Sequence, residues 1–143
     1  MDLQTFQEAV AARIREIPLL AALPVREEQL GNIVENVQND VLKNKFCVVV
    51  GAAGFTDEAP DATTCYGTVR IVVSVFEDPE MNRRSAGNPT FLNAAQEIAK
   101  ALKLFKPNVQ GAGSLTSPTI SEPSDIGDGV VSVTVALTAK ATL

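Results

Sequence analysis

Thr68-Val69-Arg70-Ile71-Val72-Val73-Ser74-Val75-Phe76 runs through the corner Glu77-Asp78-Pro79-Glu80-Met81-Asn82-Arg83-Arg84 into a segment that closes at Phe105, and the reading of this stretch decides the fold. Its first nine residues are dominated by β-branched side chains, which suit a pleated surface and lose rotamer freedom in a helix. Val69, Ile71, Val73 and Val75 share one face at period two, while Arg70, Val72, Ser74 and Phe76 make the other face only partly apolar. That pattern predicts a central strand, covered on one side and half covered on the other. Pro79 lacks an N–H and pushes Asp78 out of the helical region, so the strand ends at the corner.

Asn88-Pro89-Thr90 then opens a helix, with Asn88 as its cap and Pro89 at the first position, where a missing donor costs nothing. Phe91, Ala95, Ile98, Leu102 and Phe105 recur at spacings of four and three and form one apolar stripe. Lys103 and Lys106 suit the negative pole of the helix dipole, and Pro107 stops the run. Burying each of the four larger stripe residues is worth about 1.5–3 kcal/mol before ordering costs, so this helix is expected to lie on the sheet.

Upstream, Phe46-Cys47-Val48-Val49-Val50 reads as a short buried strand, and 26–44 as a helix with Leu30, Ile33, Val34, Val37, Val41 and Leu42 along its stripe. A first helix spans 2–17, capped by Asp2, with Leu3, Phe6, Val10, Ile14 and Ile17 on one side, available to its own core or to a neighbouring subunit. The apolar segment 19–25 contains Pro24 and reads as an extended connector, not a central strand. Residues 51–67 hold small, acidic and turn-forming residues without a period, which reads as one long loop. Downstream, 114–121 is an edge strand, because Pro118 is tolerated only at an edge or a bulge, and 121–129 is a hairpin loop. Val130 to Thr142 closes the chain as a long strand with a buried face of Val131, Val133, Val135, Leu137 and Ala139. The expectation is a single α+β domain over 1–143: a mixed, mostly antiparallel four-stranded sheet with helices packed on it, in the order α-α-β-β-α-β-β.

Composition bounds the chemistry. With 45% hydrophobic and 20% charged residues the chain is ordinary globular protein, and a net charge of −5 argues against tight binding to a nucleic-acid backbone. There is no histidine, so the common nucleophile–imidazole pairs and the usual zinc spacings are absent. Two cysteines, Cys47 and Cys65, are expected to be reduced. Gly51-Ala52-Ala53-Gly54 follows a strand as a phosphate loop would, yet no Lys-Ser or Lys-Thr follows and no helical pattern begins there. Glu77, Asp78 and Glu80 stand at a strand end, where catalytic carboxylates often sit. Their plainer reading is a charged corner in which Glu77, Asn82 and Arg83 are structural. No catalytic, cofactor-binding or metal-binding residue is predicted. The chain shows no basic and apolar leader and no run near the ~20 apolar residues of a membrane span, so a soluble protein made in the cytoplasm is expected. Phe55 and Tyr66 are the aromatics of the 51–67 segment, flanked by Asp57 and Glu58. An aromatic there either docks onto a partner or packs back on its own subunit.

The succession Cys47-Val48-Val49-Val50, Val72-Val73-Ser74-Val75-Phe76-Glu77-Asp78-Pro79, Asn82-Arg83, an alanine-rich helix ending in Leu102-Lys103-Leu104-Phe105-Lys106-Pro107, and a closing Thr138-Ala139-Lys140-Ala141 resembles tail-terminator and tail-completion proteins of tailed bacteriophages. The likeness covers roughly 30–143, and its weight lies in order and spacing. It implies a structural virion protein that forms a ring, commonly of six subunits, caps the tail tube, ends its polymerisation and joins tail to head or neck. The implied partners are further copies of the chain, the tail tube protein and head–tail connector or neck proteins. Phe55, Tyr66, Asp57 and Glu58 are then candidate interface residues. DNA would pass through the lumen without sequence-specific binding, and the place of work is the virion, after assembly in the host cytoplasm. Another tube or neck subunit of a phage or contractile injection particle is the second reading. A small-molecule-binding α+β module, with its pocket under the 51–67 loop, is the third.

Overall fold

The structure, a computed structural model, describes residues 1–28, 33–84 and 89–143, with the side chains of Arg83 and Arg84 outside the description. Helix α1 (Leu3–Arg15) begins as expected: the Asp2 carboxylate accepts from the Gln4 amide at 2.9 Å, an N-cap that satisfies an otherwise orphan donor. A single 3-10 turn, Pro18–Leu20, leads to strand β1 (Val25–Glu27). Helix α2 (Ile33–Asn44) follows, then β2 (Phe46–Val50), β3 (Gly54–Asp57) and β4 (Tyr66–Glu77). Short α3 (Pro79–Arg84) and α4 (Phe91–Leu102) precede β5 (Thr116–Ile120), β6 (Ser124–Gly127) and β7 (Val130–Thr142).

Among the described residues seven strands form one sheet in the order β1-β2-β4-β7-β5, with β3 also on β4 and β6 also on β7. The class is α+β, and the expected count of four strands is corrected to seven. The two long strands explain the difference. Strand β4 pairs with β7 in unbroken antiparallel register from Tyr66↔Thr142 to Glu77↔Val131. Each then carries two short strands end to end on its outer side.

Beside β4, Val50 pairs with Val73 and Gly54 pairs with Arg70, so residues 51–53 stand opposite 71–72. That one-residue excess is a β-bulge. The Gly51 amide still donates to the Val72 carbonyl at 2.8 Å, and a Cβ at Gly51 would stand 2.9 Å from that oxygen. The predicted 51–67 loop therefore contains the strand Gly54–Asp57 and the start of β4, and only 58–65 is left as the hairpin connection. Beside β7, the register shifts between Thr116 and Thr119, where Ser117 has φ 55° and Pro118 sits in the irregularity of an outer strand, as its missing donor requires. The predicted 121–129 loop likewise contains β6, closed by Gly127, Asp128 and Gly129, all at positive φ.

Strand β1 runs parallel to β2, so α2 is a crossover between them. The predicted helix over 26–44 thus begins later than expected, because Val25–Glu27 find backbone partners in Val48–Val50, more than twenty residues away. Leu30 and Gly31 of the expected helix lie outside the described residues. So does Asn88. The cap of α4 is Thr90, whose hydroxyl accepts from the Asn93 amide at 3.2 Å, and the helix ends at Leu102 instead of continuing to Phe105.

Helices α1 and α4 cover one face of the sheet. Phe6, Val10, Ile14, Ile98 and Leu102 are fully buried there against Val48, Ile71, Val73, Val75, Val135 and Leu137. Helix α1 thus lies in the core of its own chain. The side chain of Gln7 reinforces this by donating to the carbonyls of Glu28 and Val50, both at 3.0 Å. Arg13 binds the Ala101 carbonyl at 3.3 Å and lies over the Phe105 ring at 5.6 Å, joining the ends of the two helices. On the opposite face, among the described residues, α2 buries its own Val41 together with Cys47 and Val49. Val72, Ser74 and Phe76 farther along that face stay partly exposed.

Candidate functional site

The corner after β4 is built from backbone and buried polar groups. Glu77 is 2% exposed, the last residue of β4, and is engaged in polar interactions. The Asp78 amide donates to the Lys45 carbonyl at 3.1 Å, while its carboxylate caps α3 by accepting from Met81 at the same distance. Asn82, 6% exposed, donates from its side-chain nitrogen to the Pro89 carbonyl at 3.1 Å. One turn of helix thereby connects the end of β4, the entrance to β2 and the entrance to α4. Arg83 lies in α3, and its side chain is outside the described residues.

The predicted interface residues divide. Phe55 is half-buried against the main core, opposite Val69. Asp57 accepts from the Ala59 amide at 3.0 Å and closes a turn. Glu58 accepts from Lys140 at 2.5 Å and from the Thr68 hydroxyl, so the tip is fastened to the neighbouring long strands. Lys140, and after it Thr68, hold the Glu58 carboxyl below its ordinary range, and Glu58 raises Lys140. Tyr66 stays 45% exposed at the start of β4.

Sequence reading missed a half-buried ion pair on the α2 side. Arg26 makes a two-pronged ion pair with Asp40 of α2, one arm at 3.0 Å, and the Cys47 thiol lies 3.5 Å from the same carboxylate. Arg26 holds the Asp40 carboxyl below its ordinary 3.8, and burial, with Asp40 second, pushes the Cys47 thiol up to about 12. A depressed carboxylate contributes stability that is complete above its unfolded value and is lost as pH falls through its folded value. Asp40→Asn should therefore cost about 1–2 kcal/mol at neutral pH, between exposed and buried ion pairs, and nearly nothing in strong acid. Urea titrations at both pH values check it, and an equal loss at both would assign the effect to packing.

The thiols should differ in the same way. Cys65 is exposed and Cys47 buried, both free. A colorimetric thiol reagent should count one fast group in the folded protein and two after unfolding. Two fast groups in the folded protein would place Cys47 outside the core.

The open part of the second face holds a groove of about 490 Å³ lined by Ile33, Val34, Val37, Val72, Phe76 and Ile126 among others. The predicted stripe of α2 is wider than the surface beneath it: Val34 is 68% and Leu42 71% exposed. A helix with more apolar face than its own sheet can cover was a visible signal, and only the position of α2 over β2 reveals the surplus. Among the described residues no cluster of acidic or cysteine side chains could hold a metal ion. No helix among them is long and apolar enough to cross a membrane.

No family model matches the chain, and no curated protein does. Solved structures do. A chain of the virion of a native gene transfer agent particle superposes with a TM-score of 0.62 at 19% identity, over 96% of this chain and 94% of its own. A second solved chain superposes at 0.54 with 14% identity, over 98% and 92%. At these identities the likeness is one of fold.

Proposed function

We propose that this protein is a structural component of a phage-like virion, and that it works as a tail terminator: a ring, six copies by the family resemblance, that caps the tail tube, stops its growth and meets the head or neck. The observation that carries the reading is the fold likeness, nearly end to end, to a chain of a gene transfer agent virion. The apolar surplus of α2 and the open sheet face supply surface for further copies or for the tube. The net charge of −5 suits a lumen through which DNA slides without adhering. In this role the chain performs no catalysis, and Glu77, Asn82 and Arg83 act as a joint.

Electron microscopy and sedimentation of the purified protein test the proposal. Rings are expected, and their addition to growing tail tubes should fix tube length. Rings that build into the tube wall instead of ending it would make this a tube subunit. A strict monomer whose melting temperature rises with a small molecule would overturn the virion reading.

A further inference from the structure

Two exposed apolar spots lie at opposite ends of the long strand β7 and carry opposite charges around them. At one end β6 pairs with Ser132 to Val130, and all four of its residues are exposed. Its Ile126 is 55% exposed and has Glu122, Asp125 and Asp128 as its acidic neighbours in the chain. At the other end the chain leaves α4 at Leu104, whose amide binds the Leu115 carbonyl at 2.7 Å just before Thr116 pairs with Thr138. Leu104 is 67% exposed, at φ 62°, between exposed Lys103 and Lys106. Among the described residues no ion pair reaches any of these three acids or two lysines.

Seven residues of strand, roughly 23 Å, separate the two spots, and Ile126 borders the groove on the face opposite α4. They cannot meet within one chain. They are also different patches, so joining them between copies makes a head-to-tail contact, the kind that closes into a ring when the rotation permits.

We infer that the β6–β7 hairpin of one copy docks on the Leu104 patch of the next, Ile126 against Leu104, with the acids of the hairpin facing Lys103 and Lys106. Charge complementarity selects a second copy as the occupant, and the inference rests on the ring reading above. Pairs of this kind at a rim steer and register the contact, and they are screened as the Debye length shrinks below ~10 Å.

Charge reversal and exchange test it. Asp125→Lys with Asp128→Lys, and separately Lys103→Glu with Lys106→Glu, should each weaken self-association at least tenfold in sedimentation velocity, with unchanged circular dichroism and melting. Mixing the two reversed proteins should restore assembly in alternating copies, because each then offers the other an oppositely charged surface at both of its contacts, and a chain carrying all four substitutions should form rings again. Wild-type association should weaken with added salt. Reversed variants that assemble like wild type, or that lose assembly without rescue, overturn the contact and leave the ring reading standing. A wild-type protein that stays monomeric overturns both. Should a reversed variant fail to fold, Ile126→Ser and Leu104→Ser read out the same surfaces: unchanged association in both overturns the contact, and a loss in each supports it.

Discussion

Replacing Phe6 with alanine is expected to remove about 3–5 kcal/mol of stability and to lower the melting temperature by about 10 °C or more. Phe6 is fully buried, on the side of α1 that also carries Val10 and Ile14, and those side chains belong to the same apolar cluster as the inner face of the sheet. Truncation removes a large ring from a close-packed layer between two helices and a sheet that cannot collapse freely onto the space. Gln7 beside it would also hold its bonds to Glu28 and Val50 less firmly, loosening the edge strand β1. Chemical denaturation of protein at low concentration, below any self-association, is the measurement. Unchanged monomer stability with impaired assembly would show that α1 works as a contact between subunits.

The second large effect is expected at Gly67. A Cβ there would lie 1.9 Å from the Thr56 carbonyl oxygen of the paired strand and 3.0 Å from the amide nitrogen of Glu58 just beyond it, both backbone atoms. No rotamer change relieves such an overlap, so Gly67→Ala must push β3 away from β4. The pairing of Asp57 with Gly67 would open, along with the bond from the Glu58 amide to the Tyr66 carbonyl. Phe55 would lose its place on the core. A cost of about 1–3 kcal/mol follows from overpacking alone. Gly54, where nothing lies within 4 Å of an added Cβ, is the control in the same strand, and Gly54→Ala should be close to neutral. Faster hydrogen exchange at Glu58 in the first variant and not the second is the expected signature. Equal behaviour of the two would mean that β3 is not held against β4 in solution.

The pairing of β3 also redraws any truncation of this region. Removing 53–63 would take a strand from the sheet and an aromatic from the core, whereas removing 59–63 shortens only the connection.

The sequence by itself determined the elements whose periodicity is strong and whose partners are local. Val130–Thr142 was legible to the residue, because thirteen residues of alternation leave one register for a half-buried strand. Helix α1 with its Asp2 cap, the buried β2 and the outer position of the Pro118 strand were legible for similar reasons. Tertiary structure alone decided the rest. Strands β1, β3 and β6 are three or four residues long and carry no period of their own; they exist because β2, β4 and β7 offer unpaired backbone along their flanks. The Arg26–Asp40 pair depends on that same placement, since only the parallel pairing of β1 with β2 brings Arg26 under α2. Glu58 and Lys140 are eighty-two residues apart and meet because the sheet brings them there. The surplus apolar face of α2 was present in the sequence as composition. Which half of it meets the sheet and which half meets water is set by where the crossover lands, and a period of 3.6 cannot carry that information.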